Sequence, residues 1–280
     1  MNFGLVCIKS NQSQKKGFSG LKALNACPDP VPKLLSAALY NLEQAYNNIL
    51  FCKAHDIASY RISSGIIPYS EYWNYMQFSE VTEWFDRIKK LNHTLTIHPD
   101  QFTVINSFNH NIVRKSTNIL NHHHQLCNLM GISHIILHTG GVYGNKEEAM
   151  LSFVMNFSQL NSDLQDLIRL ENCHSFDITD VLLIQDLLDG ALDVCFDLHH
   201  ERVIHGKQSH SQLRTKLSAV VNCNYHTTIV HISSGDNKSH ADYISDEDEE
   251  LFLPLLCEFN CIVEVEAKAK ELAIFKLRGK

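Results

Sequence analysis

The chain has 280 residues, 44% hydrophobic and 20% charged, with a formal net charge of −7, a balance that fits one disulfide-independent domain and argues against coating nucleic acid through bulk charge. No apolar run reaches the length of a membrane span, and the N-terminus lacks a basic stretch followed by a long apolar one, so a soluble cytoplasmic chain is expected. Nine cysteines, odd in number and without a CxxC pair, read as buried thiols and not as a disulfide framework or zinc knuckle.

Short β-branched runs alternate with longer stretches of helical period. Phe3–Ile8 is the first strand candidate, followed by a polar Lys/Ser/Gly/Pro loop over residues 9–30. Pro32–His55 places Leu35, Leu39, Leu42, Tyr46, Ile49 and Leu50 on one helical face. Ser59–Ser63 is the second strand, with a loop (SGIIPYSEYW) and a helix near Ser79–Leu91 after it. Thr94–His98 precedes a helix over about Asn111–Met130, and Ile135–His138 precedes one near Lys146–Leu160. The rhythm continues with Leu167–Glu171, a helix near Thr179–Leu188, Leu192–Asp197, and a helix near Ser209–Val221. Thr228–Ile232, a helix near Asp246–Phe259 and Cys261–Glu266 complete it. Eight strand candidates in one unit of this size predict an α/β protein of the closed (β/α)₈ TIM-barrel type, a single domain over residues 1–280. Loop 9–30 is then a long excursion after strand one on the substrate face. Neither GxGxxG nor a P-loop pattern is present, so no nucleotide cofactor is expected.

Six of the eight runs end at or beside a residue able to hold a metal: His98, His138, Glu171, Asp197, His231 and Glu266. Active sites of such barrels lie at the C-terminal ends of the strands, so these side chains converge on one mouth. His200, just past Asp197, and His240, in the loop after strand seven, can join them. Mixed imidazole and carboxylate donors suit Mn²⁺, Zn²⁺ or Fe²⁺, whereas Mg²⁺ favours an all-oxygen site. Eight ligands exceed one ion's need, so Glu171 or another carboxylate is expected to bridge two or three. A single histidine at a strand end is more often a hydrogen-bonded core or loop residue; the inference rests on six ends together. His122, His123 and His124 lie in a helical segment and point around its axis. With His93, His110, His205 and His210 they read as surface or packing. The run Asp242–Glu250 concentrates six acids in nine residues, a local source of the net charge that bound cations would counter at the site itself.

Such a cluster serves phosphodiester hydrolysis or aldose–ketose isomerisation equally. The segment His98-Pro99-Asp100-Gln101-Phe102 sets an amide and an aromatic ring at the rim, a suitable wedge where bases leave a duplex. The alternative for Phe102 is packing under a loop. The rim and the long polar loop favour a macromolecular substrate over a sugar.

Taken together, the segments YRISS (60–64) with Pro68, HPDQF (98–102), LHTGGVYGNK (137–146), LEN (170–172), FDLHH (196–200), VHISS (230–234) with His240, and VEAK (265–268) resemble the UV-damage endonucleases. They run in the family's order from about Gly4 to Glu271. The resemblance implies a TIM barrel with two or three metals, usually Mn²⁺, for which Zn²⁺, Mg²⁺ or Co²⁺ are possible substitutes. It implies damaged double-stranded DNA as partner, with no membrane and no obligate protein partner. Incision is expected immediately 5′ to cyclobutane pyrimidine dimers, 6–4 photoproducts and some other lesions, leaving 3′-hydroxyl and 5′-phosphate ends. The implied ligands are His98, His138, Glu171, Asp197, His200, His231, His240 and Glu266. Glu171, His231, Glu266 and Lys268 carry the catalytic roles. Gln101 and Phe102 enter the gap left by the lesion, and Leu5 and Asn172 also meet substrate. His200 is preferred to its neighbour His199 because Asp-x-x-His spacing matches the related endonuclease IV-type enzymes.

Two positions depart from the family. Ile229 stands where many members have a lysine, in some cases carboxylated, so a third ion or the lesion range is where this chain is expected to differ. Leu5 stands in place of an aromatic residue and offers no stacking face. Lys9, Lys15, Lys16, Lys22, Arg114, Lys115, Lys238 and Lys268 are candidate phosphate contacts. The rival expectations are a xylose-isomerase-like sugar isomerase or epimerase, and a lesion binder without catalysis.

Overall fold

The structure, a computed structural model, describes residues 1–236 and 239–279. Eight parallel strands close into a barrel in sequence order: β1 (Asn2–Val6), β2 (Ser59–Ser63), β3 (Thr94–His98), β4 (His134–His138), β5 (Ile168–Glu171), β6 (Asp193–Asp197), β7 (Ile229–Ile232) and β8 (Ile262–Val265). The expected (β/α)₈ TIM barrel is therefore what the chain forms. Major outer helices are α2 (Val31–Ala54), α3 (Ser79–Lys90), α4 (His110–Met130), α5 (Lys146–Phe157), α7 (Ile178–Leu187), α9 (His210–Cys223) and α10 (Asp246–Cys257). Short helices α1 (Leu21–Asn25), α6 (Ser162–Leu167), α8 (Leu198–His205) and α11 (Glu271–Leu277) add to them. Among the described residues no helix is long and apolar enough to cross a membrane. All nine cysteines are free.

The side-chain alternation of the strands divides the chemistry. Gly4 faces inward: a Cβ there would lie 2.2 Å from Ser59 Oγ and 3.0 Å from Glu264 Cγ. Its neighbours Phe3 and Leu5 consequently face outward, and both are buried in the core between barrel and helices. Tyr60, Ile62, Leu95, Ile97, Leu137, Leu170, Phe196, Val230 and Val263 occupy the same shell. Barrel interiors are ordinarily filled by bulky aliphatic layers. Here that filling is a small separate patch of Ile136, Cys195 and Ile229, and the interior positions toward the strands' C-terminal ends are polar.

Several boundaries are set by local chemistry. β1 stops at Val6 because Cys7 turns to a positive φ of 66° and donates its N–H to the Arg61 carbonyl. Asn109 caps α4 by accepting from Asn111 N, and Gly131, at φ 73°, ends it. The acidic run proves to be a helix start: Ser245 caps α10, and Asp246, Glu247, Asp248 and Glu249 fill its first turn, where the helix dipole favours negative charge. The expected loop at 9–30 contains α1, and α6, α8 and α11 were not anticipated.

Candidate metal centre

Strand register brings the donors to one level. His98 pairs with Ser63, His138 with Glu171, and Asp197 with His231. Glu171 lies opposite Cys195 and His231 opposite Glu264, so Asp197 and Glu266 stand two residues further up their own strands, side chains still inward. Glu171 is the hub. Its Oε2 lies 2.9 Å from His98 Nε2 and 3.1 Å from His138 Nδ1, and its Oε1 lies 2.5 Å from His231 Nδ1. His231 Nδ1 is also 3.6 Å from Glu266 Oε1 and 4.0 Å from Asp197 Oδ2. His240 Nε2 reaches Glu266 Oε2 at 3.5 Å.

Four overlapping donor groups result, the atoms of each within 4.8 Å of one another: His98, His138 and Glu171; Glu171, Cys195 and His231; Glu171, Asp197 and His200; and Asp197, His231 and Glu266. Glu171 belongs to the first three and Asp197 to the last two, so these two carboxylates join the groups into one cluster. Asp197 Oδ2 and His138 Nδ1 are buried without a hydrogen-bond partner of suitable geometry, the condition of atoms placed to ligate a cation. Imidazoles mixed with carboxylates suit a first-row divalent metal. Another group, Asp177, Glu201 and His205, lies outside this centre. There Lys216 Nζ already binds Glu201 Oε1, so a cation of the chain's own fills that role.

Local structure aims Asp197. It is the N-cap of α8, and Oδ1 accepts from His200 N at 2.7 Å, leaving Oδ2 for the centre. The Asp-x-x-His spacing is thus a helix cap, with His200 one turn above the carboxylate. His199 is engaged elsewhere, Nε2 with the Asp236 carbonyl at 3.1 Å and Nδ1 with Arg202 Nη2 at 2.9 Å. Of the two, it is His200 that shares a donor group with Glu171 and Asp197.

Electrostatics favour ionised carboxylates and a neutral His138. Burial alone would raise the Glu171 pKa, but His231 and His138 outweigh it and hold the carboxyl well below its ordinary range. Burial likewise opposes the charge on Glu266, and Arg61 with His231 overcomes it. His138 is pushed down to about 4, by burial first, against the pull of Glu171.

Beneath this layer lies a polar floor that sequence reasoning missed. Arg61 Nε bonds Glu264 Oε2 at 2.6 Å, its Nη1 bonds Glu266 Oε1, and Thr96 Oγ1 donates to Glu264 Oε1 at 2.5 Å. The available signal was a charged residue at an inward position of an otherwise apolar strand. Ile229 sits in the interior apolar patch, so nothing at that position can ligate.

Above the donors opens a cavity of about 930 Å³, lined among others by Gln101, Phe102, Ile112, Lys115, Tyr143 and His200. Phe102 is 76% exposed. Asp100 holds it out in a tight turn, its carboxylate accepting from Phe102 N at 2.8 Å and its carbonyl from Thr103 N at 2.9 Å. The packed alternative for Phe102 does not occur.

Three expected site residues are placed elsewhere. Leu5 is 1% exposed in the outer core, because Gly4 takes the inward position; it cannot reach substrate. Asn172 is fully buried, and its amide is spent on the Asp197 backbone. Lys268 is exposed and does not line the cavity; its N–H donates to the Ala241 carbonyl, which ties down the His240 loop. Of the candidate phosphate contacts, Lys115 lines the cavity, whereas Lys9 and Lys15 lie over the Phe51 and Tyr40 rings. Lys238 lies outside the described residues. The histidine run splits: His123 is buried with Nδ1 on the Ile119 carbonyl at 2.8 Å, and half-buried His122 meets Tyr75 Oη at 3.3 Å.

Comparison with known proteins agrees with this architecture. The model of the family described as UV-endonuclease UvdE matches residues 1–280. A UV DNA damage endonuclease of Bacillus mycoides (strain KBAB4) is 30% identical over 264 residues, covering 88% of this chain and 82% of that protein. The crystal structure of SacUVDE superposes with a TM-score of 0.83 at 25% identity, covering 100% of this chain and 99% of that one. Endonuclease IV from Thermus thermophilus shares the fold, with a TM-score of 0.62 at 15% identity over 100% of this chain and 97% of its own.

Proposed function

Because this chain belongs to the UvdE family of UV endonucleases and is a DNA endonuclease of repair, we propose that it hydrolyses the phosphodiester immediately 5′ to UV photoproducts in duplex DNA, leaving 3′-hydroxyl and 5′-phosphate ends. The observation that carries the proposal is the set of four donor groups, each containing Glu171 or Asp197, at the base of one open cavity with Phe102 on its rim. Two or three divalent cations, Mn²⁺ first among them, would be held by His98, His138, Glu171, Asp197, His200, His231, His240 and Glu266. When bound, they supply activation of water and neutralisation of charge on the phosphate.

The protein's own part is positioning. Glu171 and Asp197 hold the donor groups in common, so the distances between subsites are set by strand register and not by mobile loops. Gln101 and Phe102 occupy the gap left by the extruded lesion, and Lys115 offers a phosphate contact within the cavity. Glu171, His231 and Glu266 act at the reacting phosphate, and Lys268 is assigned only a peripheral contact with the DNA backbone. With the family established, a sugar isomerase is no longer the competing reading.

The test is a duplex carrying one cyclobutane dimer, incubated with protein and Mn²⁺ and resolved on a sequencing gel. A single cut directly 5′ to the dimer, ligatable after lesion removal, is expected. Cutting at undamaged sites to the same extent, or a 3′-phosphate product, would overturn the reading.

A further inference from the structure

Two large aromatic rings stand at the mouth without a place in the core. Phe108, in the loop after β3, is 45% exposed, and Tyr143, in the loop after β4, is 44% exposed. Both lie outside the hydrophobic core of the described residues. Their rings meet each other at 5.5 Å between centroids, tilted by 53°. Tyr143 lines the cavity above the donor cluster, as do Ile112 and Lys115 from the first turns of α4. Its backbone is an unusual place for so large a residue. Tyr143 and Gly144, at φ 47° and 89°, are the central pair of a turn closed by Asn145 N donating to the Val142 carbonyl at 2.9 Å. Glycine, asparagine and aspartate ordinarily take such places, and a bulky side chain in the left-handed region is strained. Strain of this kind gathers at ligand-binding segments.

We propose that Tyr143, backed by Phe108, is the platform on which the extruded lesion bases come to rest. Gln101 and Phe102 fill the gap in the duplex, and the Tyr143 ring carries what has left it. The chemistry of the surface names its occupant. An aromatic face beside Ile112 offers apolar contact and no charge, which suits the faces of a nucleobase and neither a phosphate nor a sugar. Phosphates fall to Lys115 on the wall of the same cavity. The position agrees with this: the donors at the base of the cavity act on the phosphate next to the lesion, so the bases nearest to them are the lesion's own. The platform is also held rigidly, which lowers the cost of ordering it on binding. Asn106 Nδ2 donates to the Gly141 carbonyl at 2.8 Å and so ties the β3 loop to the β4 loop. Gly140, at φ 109°, admits this approach, since a Cβ there would lie 2.1 Å from Asn106 Oδ1. A Cβ on Gly141 would lie 3.2 Å from Tyr143 Cζ, so the ring rests on bare backbone. Each aromatic is anchored close to a helix start, Phe108 by the Asn109 cap of α4 and Tyr143 by the Asn145 cap of α5.

This inference rests on the repair-endonuclease reading above, and the experiment separates the two. Affinity is measured by fluorescence anisotropy, in EDTA so that no strand is cut, for a duplex carrying one cyclobutane dimer and for the same duplex undamaged. Wild type is expected to prefer the damaged duplex. Tyr143→Asn puts in a residue suited to the left-handed region, so its melting temperature is expected not to fall. Its affinity for the damaged duplex is expected to drop at least about fivefold, the low end of what an aromatic platform contributes per base, with affinity for the undamaged duplex unchanged. Tyr143→Phe keeps the ring and is expected to bind as wild type does. Phe108→Ala is expected to lose less than Tyr143→Asn, and to add nothing in the Tyr143→Asn background. A wild-type preference retained by Tyr143→Asn would overturn the platform while leaving the repair reading standing. An equal loss for both duplexes would make the ring a general DNA contact and overturn it too. Wild type without preference for the damaged duplex would overturn both readings. Should Tyr143→Asn fail to fold, Phe108→Ala carries the test, and an undiminished preference there would refute the proposal.

Discussion

Asn172 and Asp197 are joined by two hydrogen bonds, Asn172 Nδ2 to the Asp197 carbonyl at 2.9 Å and Asp197 N to Asn172 Oδ1 at 2.7 Å. One side chain thus clamps the backbone of a donor-cluster carboxylate from the next strand. Asn172→Ala leaves the buried Asp197 N–H unpaired, at about 1–3 kcal/mol, and strips one of two bonds from its carbonyl, which as the α8 N-cap still accepts the first helical bond. Loss of thermal stability and of Mn²⁺ affinity is expected, with discrimination between damaged and undamaged duplex unchanged. A variant of native stability that loses only lesion discrimination would restore Asn172 to the substrate surface.

Glu171 serves three donor groups at once. Glu171→Gln retains the shape but withdraws the charge that His98, His138 and His231 face. Nicking of UV-irradiated supercoiled plasmid is expected to fall by at least about 100-fold, the scale of losing a group that acts in the transition state. Equilibrium dialysis should show fewer Mn²⁺ ions per chain. Full activity would remove Glu171 from the centre.

Phe102 and Leu5 make a matched pair of opposites. Phe102 is 76% exposed, so Phe102→Ala should leave stability within about 0.5 kcal/mol. Stacking on a base contributes about 1–3 kcal/mol, so affinity for a dimer-containing duplex should fall about 5- to 150-fold in fluorescence anisotropy. Leu5 is 1% exposed in the outer core, and Leu5→Ala should cost about 2–5 kcal/mol of stability. Its lesion affinity, measured well below the melting temperature, should stay that of wild type.

Burial, the largest cause for each, lowers His123 to about 4 and His134 to about 3. In the unfolded chain both bind protons near the ordinary histidine value of about 6.5. Between that value and the folded ones the unfolded state holds more protons, so stability falls as pH drops from about 6.5 toward 4. Urea midpoints at about pH 7 and about pH 5, on either side of the ordinary histidine value, should show this decline, and His123→Leu should flatten it. A slope unchanged by His123→Leu and His134→Leu would show that neither ring is buried neutral.

Much of the centre was legible from the sequence because strand ends and chemistry share one period. Once eight apolar runs were placed, His98, His138, Glu171, Asp197, His231 and Glu266 fell at their C-terminal ends, and a barrel admits a single mouth for such ends. Residues defined by parity were harder. Leu5 was expected to meet substrate because the resemblance puts an aromatic residue at its position on strand one, yet the inward place belongs to Gly4. Arg61 and Glu264 looked like ordinary charges, yet their inward parity makes them the floor.

The sequence by itself determined the repeating order of strands and helices, the donor types and their distribution over six strand ends, since these depend on local pattern and periodicity. Tertiary structure decided which donor faces which. His200 was separated from His199 by the α8 cap on Asp197, and Asn172 was turned from substrate to clamp. Those outcomes depend on register between strands distant in the chain, where a shift of one residue reverses every side chain, and no local pattern encodes that.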